Sequence, residues 1–350
     1  MSNKKLRTIR RIMWIIVGVL ALAVAAGGYY IYKELFEPNV TAGSKPDILL
    51  IPTGSTFSDV VNALNAKNLL INDKSFAWTA KQMKYVDNIK PGRYAIKPKM
   101  NNKELVGLLR SGKQTPVKVV FNNIRTKDQL AERISAQLEA KTHALANLMG
   151  DADYLKGLGF KPDNALSMFI PNTYEFYWNT SADQFLQRMK KEYDKFWNAD
   201  RIRKARLIGF RPDEVSILAS IVQQETNRDD EKNIIAGVYI NRINKGMRME
   251  ADPTLVYALG DFTINRVLNI YKAIESPYNT YKYAGLPPGP ICLPTKTSID
   301  AVLNYTHHNF IYFCAKEDFS GHHSFATTYS QHCVNAKRFQ KALDKRGIKS

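Results

Sequence analysis

The sequence predicts a mixed α+β protein with a single N-terminal transmembrane helix, a small α/β module and a larger mixed α+β domain. Three observations predict it. Residues 12–32 carry no charge, and a run of about 20 apolar residues crosses a hydrocarbon core roughly 30 Å thick as a helix. Residues 47–121 alternate short apolar runs with capped helical segments. From residue 122 onward amphipathic helical periods dominate, until two β-rich runs near the C-terminus.

Composition fits a folded chain. Its 350 residues are 45 % hydrophobic and 23 % charged, which excludes disordered and collagen-like classes. Residues 1–11 hold Lys4, Lys5, Arg7, Arg10 and Arg11 and no acid. Secretory signals share this basic start, but their apolar core is about 7–15 residues. The run here is longer, although the small residues Ala25–Gly28 keep cleavage as the alternative. Trp14 at one end and Tyr29, Tyr30 and Tyr32 at the other suit the two membrane interfaces. The positive-inside rule places residues 1–11 in the cytoplasm and residues 33–350 outside the cytoplasmic (inner) membrane. Five positive charges lie in the tail, so +13 of the formal +18 falls on the exported part. In the cytosol such a charge would raise nucleic acid as a partner. Outside, it points to anionic headgroups or an acidic polymer, or to a solvated basic surface, because Lys and Arg are scattered along the chain.

The elements follow in order. Residues 33–46 read as a polar tether. The module, residues 47–121, opens with a strand over 47–52, then a helix over 59–68 capped by Ser58, a helix over 75–83 and a turn and strand over 91–96. A helix over 101–111, capped by Asn101 or Asn102 and ended by Gly112, and a strand over 117–121 complete it. Residues 122–350 form the larger domain, with helices over 126–138, 141–149, 152–158, 182–196, 212–226, 230–245 and 298–304. Residues 248–294 are rich in Pro, Gly, Asn and Tyr and read as loop, where sites tend to lie. Strands over 310–315 and 323–327 and a helix over 330–345 close the chain.

One carboxylate stands out. In the helix from Pro212, Val215, Leu218, Ile221 and Val222 form the apolar stripe, and Glu225 lies seven, four and three residues beyond the last three. It therefore projects from the inward face. A carboxylate there is desolvated, and its pKa rises toward that of a general acid. The alternatives are a glutamate that emerges to solvent, or one paired with Arg242, which shares a face with Ile235, Val238 and Tyr239 in the next helix. Pairing would lower the pKa, and spacing alone leaves the choice open. No G-x-S-x-G elbow, P-loop or G-x-G-x-x-G is present. The histidines lack an H-x-x-x-H pair, and Cys292, Cys314 and Cys333 match neither zinc spacing nor a disulfide scaffold. No metal or cofactor is expected.

Five blocks then resemble the YceG-like (MltG) family of endolytic murein transglycosylases. They are Leu218–Thr226 (L-A-S-I-V-Q-Q-E-T), Val238–Arg242, Gly246-Met247 with Asp252-Pro253-Thr254, Ser276–Tyr281 (S-P-Y-N-T-Y) and Gly285–Ile291 (G-L-P-P-G-P-I). The tail His323-Ser324-Phe325 with His332 is similar too, and the first module resembles the family's LysM-like domain. The resemblance implies a lytic transglycosylase that cleaves the β-1,4 bond between N-acetylmuramic acid and N-acetylglucosamine in nascent glycan strands, leaving 1,6-anhydro ends. It implies Glu225 as the catalytic acid, and Asn241, Arg242, Asp252, Thr254, Tyr278, Asn279, Tyr281 and His323 as residues that line or shape the cleft. Implied partners are peptidoglycan glycan strands and glycan-polymerising synthases, without nucleic acid. Two departures stand out: Asn172 where the family pattern has Asp, and Met249-Glu250-Ala251 ahead of Asp252. Glu250 and Asp252 are the rivals for a second carboxylate in a muramidase-type hydrolase. A non-catalytic wall-binding anchor is the alternative from another class.

Overall fold

A computed structural model describes residues 3–264 and 266–346. The first two residues of the expected tail and the last four of the expected larger domain lie outside them. The chain is mixed α+β and divides into two units. One comprises the chain up to Val117 with Glu175–Asn179, and the other Lys118–Tyr174 with the chain from Thr180 onward.

The first unit contains α1 (Asn3–Phe36), β1 (Asp47–Ile51), α2 (Phe57–Ala66), α3 (Asp73–Gln82), β2 (Gly92–Ile96) and α4 (Asn102–Ser111). β1 and β2 pair antiparallel, Asp47 opposite Ile96 and Ile51 opposite Gly92. Leu49, Ile51, Leu64, Phe76, Tyr94 and Leu105 make the core. α2 is capped by Thr56, not Ser58. Thr56 Oγ1 accepts from the Asp59 N–H, and the Asp59 carboxylate accepts from the Thr56 N–H at 2.8 Å. This reciprocal pair satisfies two otherwise orphaned donors, which Ser58, already inside the first turn, could not do.

α1 has the length and mean hydropathy, 2.2 over its most apolar part, to cross a membrane, and every residue from Arg7 to Lys33 is exposed. It begins at Asn3 and continues to Phe36, so it extends into both the expected tail and the expected tether. The tether is not free: Asn39 and Val40 are buried. Asn39 Nδ2 donates to Asn102 Oδ1 (2.7 Å) and to the Asn72 carbonyl (2.8 Å), and its Oδ1 accepts from the Asn72 N–H at 2.8 Å. Asn102 Nδ2 donates in turn to Ser75 Oγ (2.8 Å) and to the Glu34 carbonyl in the last turn of α1 (2.9 Å). Thr79 Oγ1 donates to the same carbonyl at 3.3 Å. A helix C-terminus that water would otherwise solvate is thus capped by side chains of α3 and α4.

The second unit contains β3 (Val117–Val120), α5 (Lys127–Ser135), α6 (Thr142–Gly150), α7 (Ala152–Gly157), β4 (Thr173–Phe176), α8 (Ala182–Phe196), α9 (Ala199–Leu207), α10 (Pro212–Glu225) and α11 (Asp229–Asn244). α12 (Asp252–Leu259), α13 (Lys296–Leu303), β5 (Tyr312–Ala315), β6 (His323–Ala326) and α14 (Tyr329–Lys345) complete it, with 3-10 turns at Ala165–Met168 and Asn269–Ala273. β3 and β4 each span a border of the two units. β5 and β6 pair antiparallel, Tyr312 opposite Ala326. α5 stops at Ser135, short of the expected 138. β4, α9 and α12 are additions to the expected elements. α9 buries only Ala205, so it has no apolar stripe to read. α12 corrects the reading of 248–294 as loop: Pro253 sits in its first turn and Gly260 ends it at φ 70°. α10 is the centre, with Val215–Val222 buried without a break and α9, α11, α12 and α13 packed around it.

The Asn102→Ala variant removes three hydrogen bonds and leaves the Asn39 amide and the Glu34 carbonyl short of partners. It should lose about 1–3 kcal/mol of stability, read as a lower denaturation midpoint of the full-length chain in detergent.

Candidate active site

α10 ends at Glu225, and Thr226 turns extended (φ −145°). The glutamate therefore stands where the chain leaves the core. Three cavities of the second unit share it. One of about 270 Å³ adds Tyr239, Arg242, Glu250, Asp252, Tyr281 and Tyr312. A second, about 570 Å³, adds Arg228, Lys316, Phe319, His322 and His323. A third, about 490 Å³, adds Arg125, Gln224, Asp252, Phe262 and Arg266.

The Glu225 carboxylate accepts from the Tyr239 hydroxyl at 2.6 Å. Burial pushes its pKa up to about 7; the Tyr239 hydrogen bond works against this and the nearby Asp252 charge adds to it. The Tyr239 hydroxyl is itself held well above its ordinary pKa, by burial first and then by Glu225, so it remains a donor. Arg242 does not pair with Glu225. Its guanidinium donates to the Arg248 carbonyl (2.8 Å), the Ile311 carbonyl (2.9 Å) and the Glu250 carboxylate, which removes the pairing that would have kept Glu225 ionised.

Of the two rival carboxylates, Glu250 is engaged by Arg242, while Asp252 stands in two of the cavities with Glu225 and accepts from the Tyr281 hydroxyl at 2.6 Å. Burial, then Asp252, raises the Tyr281 pKa and keeps that hydroxyl protonated. His323 lines the second cavity, with Nδ1 2.9 Å from the buried Glu231 carboxylate, which also accepts from the His323 N–H at 2.8 Å. Among the described residues no group of three His, Cys, Asp or Glu could hold a metal.

Four of the nominated residues serve the frame. Asn241 Nδ2 donates to the His308 (2.7 Å) and Phe310 (3.0 Å) carbonyls. Asn279 Nδ2 donates to the Lys272 and Ile274 carbonyls, and its Oδ1 accepts from the Tyr281 N–H. Thr254 Oγ1 donates to the Ala251 carbonyl and lies 2.8 Å from Thr280 Oγ1. Tyr278 packs on Tyr257, ring centroids 4.6 Å apart. The G-L-P-P-G-P-I segment runs against α10: the Ile291 N–H donates to Ser220 Oγ at 3.0 Å, and Gln223 Nε2 donates to the Leu293 carbonyl at 3.2 Å. Gly289 is required by space, since a Cβ there would stand 1.9 Å from the Asp163 carbonyl oxygen.

Several lining residues were not nominated from sequence: Tyr239, Tyr312, His332, Gln224 and Arg125. Tyr239 carried a signal, since it shares the inward face of α11 with Arg242. His332 stacks on Tyr312 (centroids 5.3 Å, interplanar 21°) and carries a buried Nδ1 without a hydrogen-bond partner.

A family model for the YceG-like family matches residues 49–338. The chain belongs to the YceG-like family. This YceG-like chain is 26 % identical to an endolytic murein transglycosylase of Bacillus subtilis (strain 168), covering 87 % of this chain and 88 % of that one. It is 25 % identical to an endolytic murein transglycosylase of Streptococcus pneumoniae serotype 2 (strain D39), covering 85 % of this chain. It spans only 60 % of the length of that pneumococcal relative. The crystal structure of a yceG-like protein from Listeria monocytogenes superposes with a TM-score of 0.56 at 28 % identity, covering 83 % of this chain and 99 % of that one.

Replacing Tyr239 with Phe deletes a hydroxyl donor that favours the ionised form of Glu225. The Glu225 titration should move upward from about 7, whereas Asp252→Asn should move it down. Carboxyl-carbon NMR against pH reads both shifts, and a Tyr239→Phe shift in the other direction would refute the assigned polarity.

Proposed function

We propose that this YceG-like protein is a membrane-anchored endolytic lytic transglycosylase of peptidoglycan, with Glu225 as its single acid–base group. The observation that carries this reading is a half-buried carboxyl at the end of α10, bonded to Tyr239, raised to a pKa of about 7 and shared by three cavities, in a chain of this family. A carboxyl titrating there holds a proton at neutral pH and also accepts one readily. Protonated Glu225 gives its proton to the leaving glycosidic oxygen as the bond from muramoyl C1 breaks. The resulting carboxylate takes the proton of the muramoyl 6-hydroxyl as that oxygen bonds to C1, so Glu225 returns to its starting state and no water is consumed. Tyr239 holds the carboxyl in place through both steps. Asp252, oriented by Tyr281, sets negative charge beside the oxocarbenium-like C1.

α1 serves as a single-pass anchor in the cytoplasmic membrane with its N-terminus in the cytoplasm. Its exposed apolar surface supports this, since a long apolar helix face needs cover. The β1–α2–α3–β2 unit serves as a LysM-like glycan-holding module, a reading supported by its antiparallel strand pair flanking two helices. Partners are nascent glycan strands and the synthases that extend them.

Glu225→Gln keeps the size and the hydrogen bond but not the proton. It should cut the release of anhydro-muropeptides by about 10²–10⁴-fold or more, and wild-type activity should fall as pH rises past about 7. Stability should move the other way. Between the ordinary 4.5 and about 7 the folded chain binds a proton that the unfolded chain does not, so wild-type stability declines as pH rises through that window. The Gln variant escapes this and should gain on wild type from pH 5 to pH 8 in parallel melts. Anhydro ends in the products support the lytic reading. Reducing ends would move the protein to the hydrolases, with Asp252 activating water. A folded Glu225→Gln protein working near the wild-type rate would remove Glu225 from the role. For topology, a reporter active only outside the cytoplasm, fused after Ser350, should be active. A silent reporter beside a working cytosolic one would reverse the orientation.

A further inference from the structure

The cavity of about 490 Å³ holds a guanidinium that no carboxylate among the described residues engages. It contains Arg125 and Arg266, against Glu225 and an Asp252 already bonded to Tyr281. Arg125 lies outside every sequence block that marks the family, yet it is held from three directions. Its backbone N–H donates to Gln129 Oε1 at 2.9 Å. The preceding carbonyl, of Ile124, accepts from the Leu293 N–H at 2.8 Å. One guanidinium N–H, on Nη2, donates to Gln224 Oε1 at 2.9 Å. Gln224 cannot turn over freely, because its Nε2 reaches Cys292 Sγ at 3.4 Å. The guanidinium lies 4.7 Å from the centroid of the Phe262 ring. None of these contacts is with a carboxylate. A guanidinium with one N–H fixed, one face on an aromatic ring and the rest of its fork at a cavity is preorganised for bidentate binding of a carboxylate.

N-acetylated sugars whose lactyl groups are amidated carry no charge, so the carboxylates of peptidoglycan sit on its short stem peptides. We propose that Arg125 recognises a stem-peptide carboxylate in this cavity, and so makes the enzyme prefer strands whose stem peptides carry free carboxylates over strands in which those groups are amides. The proposal rests on the glycan-cutting reading above. In it Arg125 is a specificity residue and makes no proton transfer.

The test uses the full-length chain in detergent with two substrates: glycan strands whose stem peptides keep their free carboxylates, and the same strands with those carboxylates chemically converted to amides. The readout is the ratio of kcat/KM on the first to that on the second. This ratio does not depend on the folded fraction, so a partly unfolded variant still reports. Wild type should favour the strands with free carboxylates. Arg125→Ala should lower the ratio roughly 10- to 100-fold, as expected for losing a charged hydrogen-bond partner. Arg125→Lys keeps the charge without the fork and should fall between. An unchanged ratio, with both activities reduced alike, would make Arg125 a mere support for Gln224 and α10 and overturn the proposal. So would a wild type that cuts both strands equally well. A wild type that cuts neither would overturn the glycan-cutting reading itself.

Discussion

Everything around the site follows from holding one half-buried carboxyl at the end of a helix that is buried on all sides from Val215 to Val222. α10 has no solvent face from Val215 to Val222, so its polar side chains must find partners inside the protein. Ser216 donates to the Pro212 carbonyl, and Ser220 donates to the Ile217 carbonyl while accepting from Ile291. Gln223 accepts from the Thr295 N–H and Ser298 Oγ. The chain from Ile291 to Thr295 is thereby drawn along the helix. Its backbone groups and the α10 side chains satisfy one another, so two blocks 60 or more residues apart in sequence form one polar seam.

The same logic distributes the motif residues. Asn241, Asn279 and Thr254 look like ligand-binding groups in sequence, yet each is used on backbone carbonyls or on another threonine. They fix loops that regular structure does not hold. Arg242 does so most broadly, joining the 248–250 turn to Ile311. What remains open to the cavities is a smaller set: Glu225, Asp252, Tyr281, His323 and the aromatic faces around them.

The inward direction of Glu225 was legible from helical spacing, because a seven-residue stripe fixes a face whatever packs against it. Its hydrogen-bond partner was not. Tyr239 and Arg242 share one face of α11, and choosing between them requires the positions of the Arg248 carbonyl, just beyond the end of that helix, and of Ile311, from a distant segment. α12 was hidden because Pro253 and Gly260 look like loop punctuation when the eight residues from Asp252 to Leu259 have no polar face to set off the apolar one. Thr56 and Ser58 both have capping chemistry. Only the reciprocal bond with Asp59 decides between them, and that depends on where the first turn begins. Arg125 had no signal at all, since its placement at the cavity comes from Gln224 and Phe262, far from it in sequence.

The exit of α1 carries a mechanical consequence. Proteins that need a swivel beside a membrane usually leave a polar linker there. Here the last turn of α1 is bonded to Asn102 and Thr79, Tyr30 meets Trp78 edge-on at 6.1 Å, and Val40 bridges to Leu70. The helix and the first unit therefore turn as one lever. Spanning helices commonly tilt by about 20°, and in a bilayer any such tilt would be transmitted undiminished to the first unit. With α1 as the proposed anchor, bilayer thickness would, through the tilt it imposes, set how that unit is aimed.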